Sequence, residues 1–292
     1  MNIHKLKKIA EDWLPPVLIR ALMQSYHSLY FQWAVNKTIL QQNKQLKGIG
    51  RGKRAFLFAT GPSIKKENLK LLAGEDCYSL SNFFLHEDIV LLKPKFQFFA
   101  PYHPPLDRNN FADWLDQADK RLPPETKIFL GTSDEKLVKE YGLFPKREIY
   151  YVYMNTHPNP RQIDLRRPIR KSQTIPLMAL PVLVYMGYDE IYLLGCDHNI
   201  LKSYGEQVHY FYEKKDEIRK NITGDYWPSI IEHHLASLKV FQQYEFYKKI
   251  IDKTCHTQVI NLSAESWLDA FPKKALSELI EKQDAVAQTK KN

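Results

Sequence analysis

The chain has 292 residues, 44% hydrophobic and 13% aromatic, enough to bury a substantial core, so collagen-like, disulfide-scaffold and largely disordered readings are excluded. The formal net charge of +9 is uneven: residues 1–54 carry +8, residues 55–272 carry −1 and residues 273–292 carry +2. A nucleic-acid binder with a charged face would hold its surplus in the folded body, and this chain does not.

From the N-terminus, Ile3, Leu6, Ile9 and Trp13 recur at helical spacing with Lys5, Lys7 and Lys8 between them, and Pro15-Pro16 ends that helix. A second stripe follows in Val17, Leu18, Leu22, Tyr26, Leu29, Tyr30 and Trp33. Glu11 and Asp12 make the opening a poor signal peptide. The uncharged run from Ala21 to Asn36 holds Gln24, Ser25, His27, Ser28 and Gln32, which leaves it short of the roughly 20 apolar residues a membrane span requires. Residues 1–53 therefore read as a basic amphipathic helical arm. Through residues 1–47 it suits an anionic membrane surface, where each basic side chain contributes about 1 kcal/mol. The alternative is that the second helix packs on the body or on another copy in a homo-oligomer. Gly48, Gly50 and Gly52 amid Lys47, Arg51, Lys53 and Arg54 read as a flexible hinge.

Residues 54–272 form the predicted body. Arg54–Thr60 is a short apolar run, broken by Gly61-Pro62-Ser63 before a helical stretch ending near Leu72. Further strand-like runs lie at Cys77–Ser81, Phe96–Ala100, Lys127–Leu130, Glu148–Val152 and Glu190–Leu194, with helix-like spacers between most of them. This alternation predicts an α/β fold with a mainly parallel sheet and helices on both faces, whose ligands bind at the carboxyl ends of the strands. Ile175–Met186 reads as a long apolar helix capped by Gly187. Residues 195–228 are too long for an ordinary connection and read as a lid-like insertion. A helix over Ser229–Lys253, a strand at Gln258–Asn261 and a short helix near Ala270–Lys282 follow, and 273–292 is a polar tail.

Three groups of residues carry chemistry. In Thr60-Gly61-Pro62-Ser63, glycine permits close approach to a ligand, and Ser63 is placed to cap a helix whose N–H groups favour an anion; a plain turn has the same composition. Asp197 and His198 follow the strongest strand, and the long loop adds Tyr204, His209, Tyr210, Phe211 and Tyr212. Histidine is suited to taking a proton near neutral pH and tyrosine to hydrogen-bonding a leaving phosphate, although the aromatic run equally suits closure of a core. His233 and His234 read as structural. Arg161, Arg166, Arg167, Arg170 and Lys171 form the body's basic cluster, beside Ser172-Gln173-Thr174 at the start of the long helix, where a nucleotide phosphate would suit them. Cys77, Cys196 and Cys255 form no Cys-x-x-Cys pattern, and no third ligand completes a metal site with Asp197 and His198.

Thr-Gly-Pro-Ser after the first strand, Asn82 after the second, the run Gly187–His198 and the later His-Tyr-Phe-Tyr resemble the bacterial sialyltransferases of glycosyltransferase family 42. They also resemble the broader set of proteins related to 6-hydroxymethylpterin pyrophosphokinase, many found with surface-polysaccharide enzymes. The resemblance covers roughly residues 54–272. It implies a Rossmann-like domain with a lid, using a CMP-sugar as substrate with no metal or other cofactor, and inverting the anomeric centre. By position it implies that Thr60, Gly61, Pro62, Ser63 and Asn82 meet the nucleotide, and that Arg170, Ser172 and Thr174 lie near its phosphate or ribose. Asp197 would close the pocket, Tyr204 would assist the leaving group, and His209, with His198 second, would be the base. The family often has Asn where Thr60 stands, and Thr-Ser-Gly where this chain has Ser-Gln-Thr.

The leading expectation is thus a glycosyltransferase, sialyltransferase-like, acting on a lipid-linked, lipopolysaccharide or capsule acceptor. It would be cytoplasmic and peripheral on the inner face of the cytoplasmic membrane. The alternatives are a pterin pyrophosphokinase-like transferase, which needs clustered carboxylates for Mg²⁺, and a non-catalytic peripheral membrane assembly protein.

Overall fold

The computed structural model describes residues 14–104, 106–156, 162–203, 210–216 and 229–280. The first predicted arm helix, Arg161, Tyr204, His209 and most of the predicted lid lie outside the described residues.

The strands are β1 (Arg54–Phe58), β2 (Asp76–Leu80), β3 (Phe96–Phe98), β4 (Lys127–Gly131), β5 (Ile149–Val152), β6 (Met154–Asn155), β7 (Ile169–Arg170), β8 (Glu190–Leu194) and β9 (Gln258–Asn261). Seven of them form one sheet in the order β5-β4-β3-β2-β1-β8-β9, and every neighbouring pair is parallel. The chain enters at β1, builds outward to β5, then returns to lay β8 and β9 on the other side. The order reverses between β1 and β8, which opens a crevice at their carboxyl ends. Among the described residues β6 and β7 pair only with each other, in a small sheet the sequence pattern did not announce.

Among the described residues, the α-helices with both ends described are α1 (Pro16–Ala34), α2 (Lys37–Gln41), α3 (Ile89–Leu92), α4 (Arg108–Arg121), α5 (Glu135–Tyr141), α6 (Ile175–Met186) and α7 (Ile230–Thr254), and residues 276–280 are helical as well. Alternate strand residues feed opposite faces of the sheet. Ala55, Leu57, Ile191 and Leu193 pack with α6 and α7, whereas Phe56, Phe58, Tyr192 and Leu194 pack with α4 and α5. Both faces are covered, which is why the strands read as unbroken apolar runs. Residues Pro176 to Met186 of α6 are all buried, as expected of a helix apolar on every side. The expected α/β, Rossmann-like parallel sheet is the fold observed.

Two local expectations fail. No α-helix follows β1: Pro62–Lys66 and Leu69–Leu72 form separate 3-10 turns. Ser63 turns its hydroxyl to Asp197 instead of capping a helix. The glycines expected to be a hinge are fixed to the body. Gly48 and Gly50 donate their N–H groups to Tyr185 and Met186 at 3.3 and 2.8 Å, and a Cβ at Gly50 would stand 2.7 Å from the Tyr188 ring. Just upstream, buried Asn43 donates to the carbonyls of Tyr151 and Leu165 at 2.8 and 3.0 Å. Residues 37–52 are thereby part of the packed structure.

Candidate functional site

A cavity of about 790 Å³ opens outside the carboxyl ends of β1, β2 and β8. Its floor is made by two loops that zip together past the strand ends. Ala59 donates to Leu194 O at 2.8 Å and Gly61 to Gly195 O at 3.0 Å. A Cβ at Gly61 would overlap the Gly195 carbonyl oxygen and lie 2.5 Å from Asp197 Oδ2, so glycine is required by the approach itself. Gly195 has φ +67° and is equally crowded, by Ile64 and the Ala59 carbonyl.

Asp197 locks this junction. Its buried carboxylate accepts the Ser63 amide at Oδ2 (3.0 Å) and the Ser63 hydroxyl at Oδ1 (2.5 Å), and its own carbonyl accepts the Trp267 amide at 2.9 Å. Next to it, His198 holds φ +47°, and across the cavity Ser81 holds φ +50°. Left-handed backbone at non-glycine residues is costly and persists where the surroundings impose it. His198 Nε2 lies 2.8 Å from the hydroxyl of fully buried Tyr244. Burial pushes the imidazole down to about 4, so it is neutral at physiological pH. Burial also raises the Cys196 thiol, which stays protonated.

The opposite wall is the start of α6. Thr174 is its N-cap residue but makes no side-chain cap bond, Pro176 lies in the first turn, and no acidic residue occupies that turn. Thr174, Ile175 and Pro176 line the cavity, so the positive end of a 12-residue helix faces it. The third wall is α7, contributing His233, Ala236, Ser237, Val240 and Phe241. Burial lowers the His233 pKa, with His234 adding to the effect. Asp197 and Lys202 are the fully charged residue types in the lining. Among the described residues no three His, Cys, Asp or Glu side chains gather as a metal-sized group.

Of the residues singled out by sequence, Thr60, Gly61, Pro62, Thr174, Asp197 and His198 line this cavity, and Ser63 braces it from behind. Asn82 is fully buried outside the lining, accepting from the Trp114 indole at 2.6 Å and donating to the Tyr212 hydroxyl at 2.9 Å. With Phe211 N–H bonded to Thr60 O at 3.2 Å, it fastens residues 210–212 to the strand ends while Tyr210 faces the cavity. Ser172 Oγ lies 3.4 Å from Arg170 O, outside the lining. Tyr204 and His209 lie outside the described residues. Gln173, named with Ser172 and Thr174 at the start of the long helix, also lines the cavity, whereas sequence reasoning missed Ser81, Lys202 and the α7 wall, where His233 had read as structural. The α7 positions 233, 236, 237, 240 and 241 lie on one helical face, and their small Ala and Ser were the available signal.

Arg166, Arg167 and Arg170 line a second cleft of about 1410 Å³, between α1 and residues 162–170. The Arg170 guanidinium stands 4.6 Å over the Phe246 ring. The two hollows are divided by Gln243, which accepts from Gln173 N and donates to Lys171 O, both at 3.0 Å.

No family model and no curated protein sequence matches the chain. Among solved structures, the sialyltransferase CST-II in complex with trisaccharide acceptor and CMP is similar over 76% of this chain and 86% of that one, at 19% identity and TM-score 0.46. CstII from Campylobacter jejuni in complex with cytidine-5'-monophosphate is similar over 77% and 85%, at 20% identity and TM-score 0.44.

Proposed function

We propose that this chain is a glycosyltransferase that takes a nucleotide sugar into the cavity at the carboxyl ends of β1 and β8. The observation that carries the reading is the joint placement of that cavity at the point where strand order reverses and of the uncapped start of α6 in its wall. A volume of about 790 Å³ suits a small-molecule ligand of this size. The backbone at Thr60–Pro62 approaches the nucleotide, the α6 N-terminus receives its phosphate, and Asp197 holds the two loops in register by its bonds to Ser63.

His209 is our choice for the general base. It is the sequence neighbour of Tyr210, a lining residue. The base removes the proton of the acceptor hydroxyl as its oxygen bonds to the anomeric carbon, and the nucleotide phosphate departs from the opposite side with inversion. Tyr204, two residues beyond lining Lys202, assists that departure. His198 is less suited to proton transfer, because its Nε2 is engaged by Tyr244 and its pKa is pushed down to about 4. The preferred donor is a CMP-nonulosonate and the preferred acceptor a lipid-linked, lipopolysaccharide or capsule glycan at the inner face of the cytoplasmic membrane. No metal or further cofactor enters the scheme.

Thermal unfolding in the presence of CMP, UDP, GDP and their sugars tests the reading. CMP and CMP-sugars are expected to raise Tm, since a ligand held only by the native state stabilises it. Absence of any nucleotide effect, with no hydrolysis of any nucleotide sugar, refutes the proposal. His209→Ala is expected to abolish transfer while keeping the CMP-induced shift; retained transfer would remove His209 as base.

A further inference from the structure

We propose that the second cleft seats the phosphate of an anionic phospholipid headgroup while the outward face of α1 lies on the bilayer. The inference stands whether or not the first cavity takes a nucleotide sugar.

The cleft is cationic by construction. Lys37, Arg166, Arg167 and Arg170 line it against one carboxylate, Asp164, and that carboxylate is occupied by the Arg166 fork at 3.0 and 2.9 Å. Lys37, Arg167 and Arg170 form no ion pair among the described residues, and Arg167 adds only a through-space pull that helps hold the Asp164 pKa down. Three of the four cations belong to a body, residues 55–272, whose net charge is −1, so this is a concentrated local excess. Guanidinium forks match the planar spacing of phosphate oxygens, and lysine adds a point charge.

The second observation is the helix that forms the cleft's other wall. α1 is held to the body by its inner side, where the Phe31 ring meets Tyr153 at 5.2 Å and His27 Nε2 lies 3.1 Å from Thr156 Oγ1. Its outer side is apolar and open to solvent: Leu18, Leu22, Leu29 and Trp33 recur at helical spacing and are 46%, 54%, 61% and 87% exposed. No charged residue occurs from Ala21 to Asn36. A contiguous apolar face of this kind marks a contact surface. Leu29 also lines the cleft, so the apolar stripe and the cationic groups share an edge. That is the arrangement of an amphipathic surface at a lipid boundary, where acyl chains meet Leu and Trp and headgroup phosphates meet Arg and Lys. No described helix is long and apolar enough to cross a membrane, so the contact lies in the interface plane. A second copy of the chain fits less well, because a two-fold contact through α1 sets each cationic cleft beside its equivalent.

The test is co-sedimentation of the full chain, without nucleotide, with vesicles of phosphatidylcholine alone or with added phosphatidylglycerol. Binding is expected to the phosphatidylglycerol vesicles and to weaken as salt rises. The double variant Lys37→Gln/Arg167→Gln is expected to bind roughly thirty-fold more weakly, from two lost headgroup attractions. Leu22→Ser/Trp33→Ser is expected to weaken binding at any salt concentration. All four sites are exposed, and unchanged thermal melting will confirm that both variants fold. Equal binding to uncharged vesicles, or unchanged binding of Lys37→Gln/Arg167→Gln, overturns the proposal. A thermal shift with inorganic phosphate but no vesicle binding assigns the cleft to a free anion instead. A dimer that Trp33→Ser dissolves, again without vesicle binding, assigns the helix face to a second copy.

Discussion

The cavity at the strand ends and the cleft beside α1 are built from opposite materials. The first is shaped by backbone: two loops hydrogen-bonded to each other, two crowded glycines, two residues in left-handed conformation and a carboxylate spent on holding Ser63. The second is shaped by long side chains reaching in from a helix and from residues 162–170. A hollow made of backbone is destroyed by adding an atom, whereas one made of flexible cations is emptied by removing charge. The two should therefore respond to different substitutions and in different readouts.

The harshest break of that contrast is Gly61→Ala. The new methyl would overlap the Gly195 carbonyl and the Asp197 carboxylate, both backed by buried groups. We expect a loss of about 3 kcal/mol in urea unfolding, typical of overpacking against backbone, together with loss of the CMP-induced thermal shift. Vesicle binding should persist in conditions where the variant is folded. If Gly61→Ala is as stable as the parent, the loops are looser than their hydrogen bonds indicate.

Asn43→Ala is the next largest and strikes the other hollow. Its amide bridges the Tyr151 and Leu165 carbonyls, joining the 37–46 segment to residues leading into the Arg166–Arg170 wall. Losing two buried bonds at once should cost about 2 kcal/mol by the same measurement. The CMP shift should remain, since Asn43 is remote from the first cavity's lining. A lost CMP shift would mean that the two hollows are mechanically coupled, through the Gln243 partition between them.

The contrast also explains what could be read before folding. The parallel sheet was legible because each strand is buried on both faces and carries an unbroken apolar run, as in Ala55–Phe58 and Ile191–Leu194. Much of the first cavity was legible too, because its residues follow strands directly, as Thr60–Pro62 follow β1 and Asp197–His198 follow β8. What failed depends on distant partners. Ser63 has the chemistry of a helix cap, yet a buried carboxylate 134 positions away takes both its hydroxyl and its amide. Gly48 and Gly50 look like a hinge in sequence, and only the end of α6 and the Tyr188 ring make them a docking strip. Arg170 lies three residues from Gln173 and yet falls in a different hollow, because Gln243 pins the chain between them. The basic cluster at Arg166–Lys171 and the apolar stripe of α1 were each legible, but their meeting in one cleft was not, since its walls come from residues more than a hundred positions apart.

The smallest expected effect has the opposite sign, and it isolates burial from ligand binding on the same rim of the sheet. Asp134 follows β4, is 1% exposed and lies outside the lining of both hollows. Oδ1 accepts the Tyr102 amide at 3.0 Å, while Oδ2 has no hydrogen-bond partner among the described residues. Burial raises the carboxyl pKa from 3.8 to about 6, against a smaller lowering by the Tyr102 amide and Ser133. The folded state therefore binds this proton more tightly than the unfolded state. Its stabilising effect is fully present below about pH 4, is lost as pH rises to about 6, and changes little above that. Asp134→Asn, neutral at every pH, should raise stability at pH 7.5 by about 1 kcal/mol and lose that advantage at pH 4, read as paired urea midpoints. A gain independent of pH would trace the effect to packing. A loss at pH 7.5 would show that the ionised carboxylate has a partner worth keeping, and the backbone-built rim would then extend beyond β1 and β8 to the end of β4.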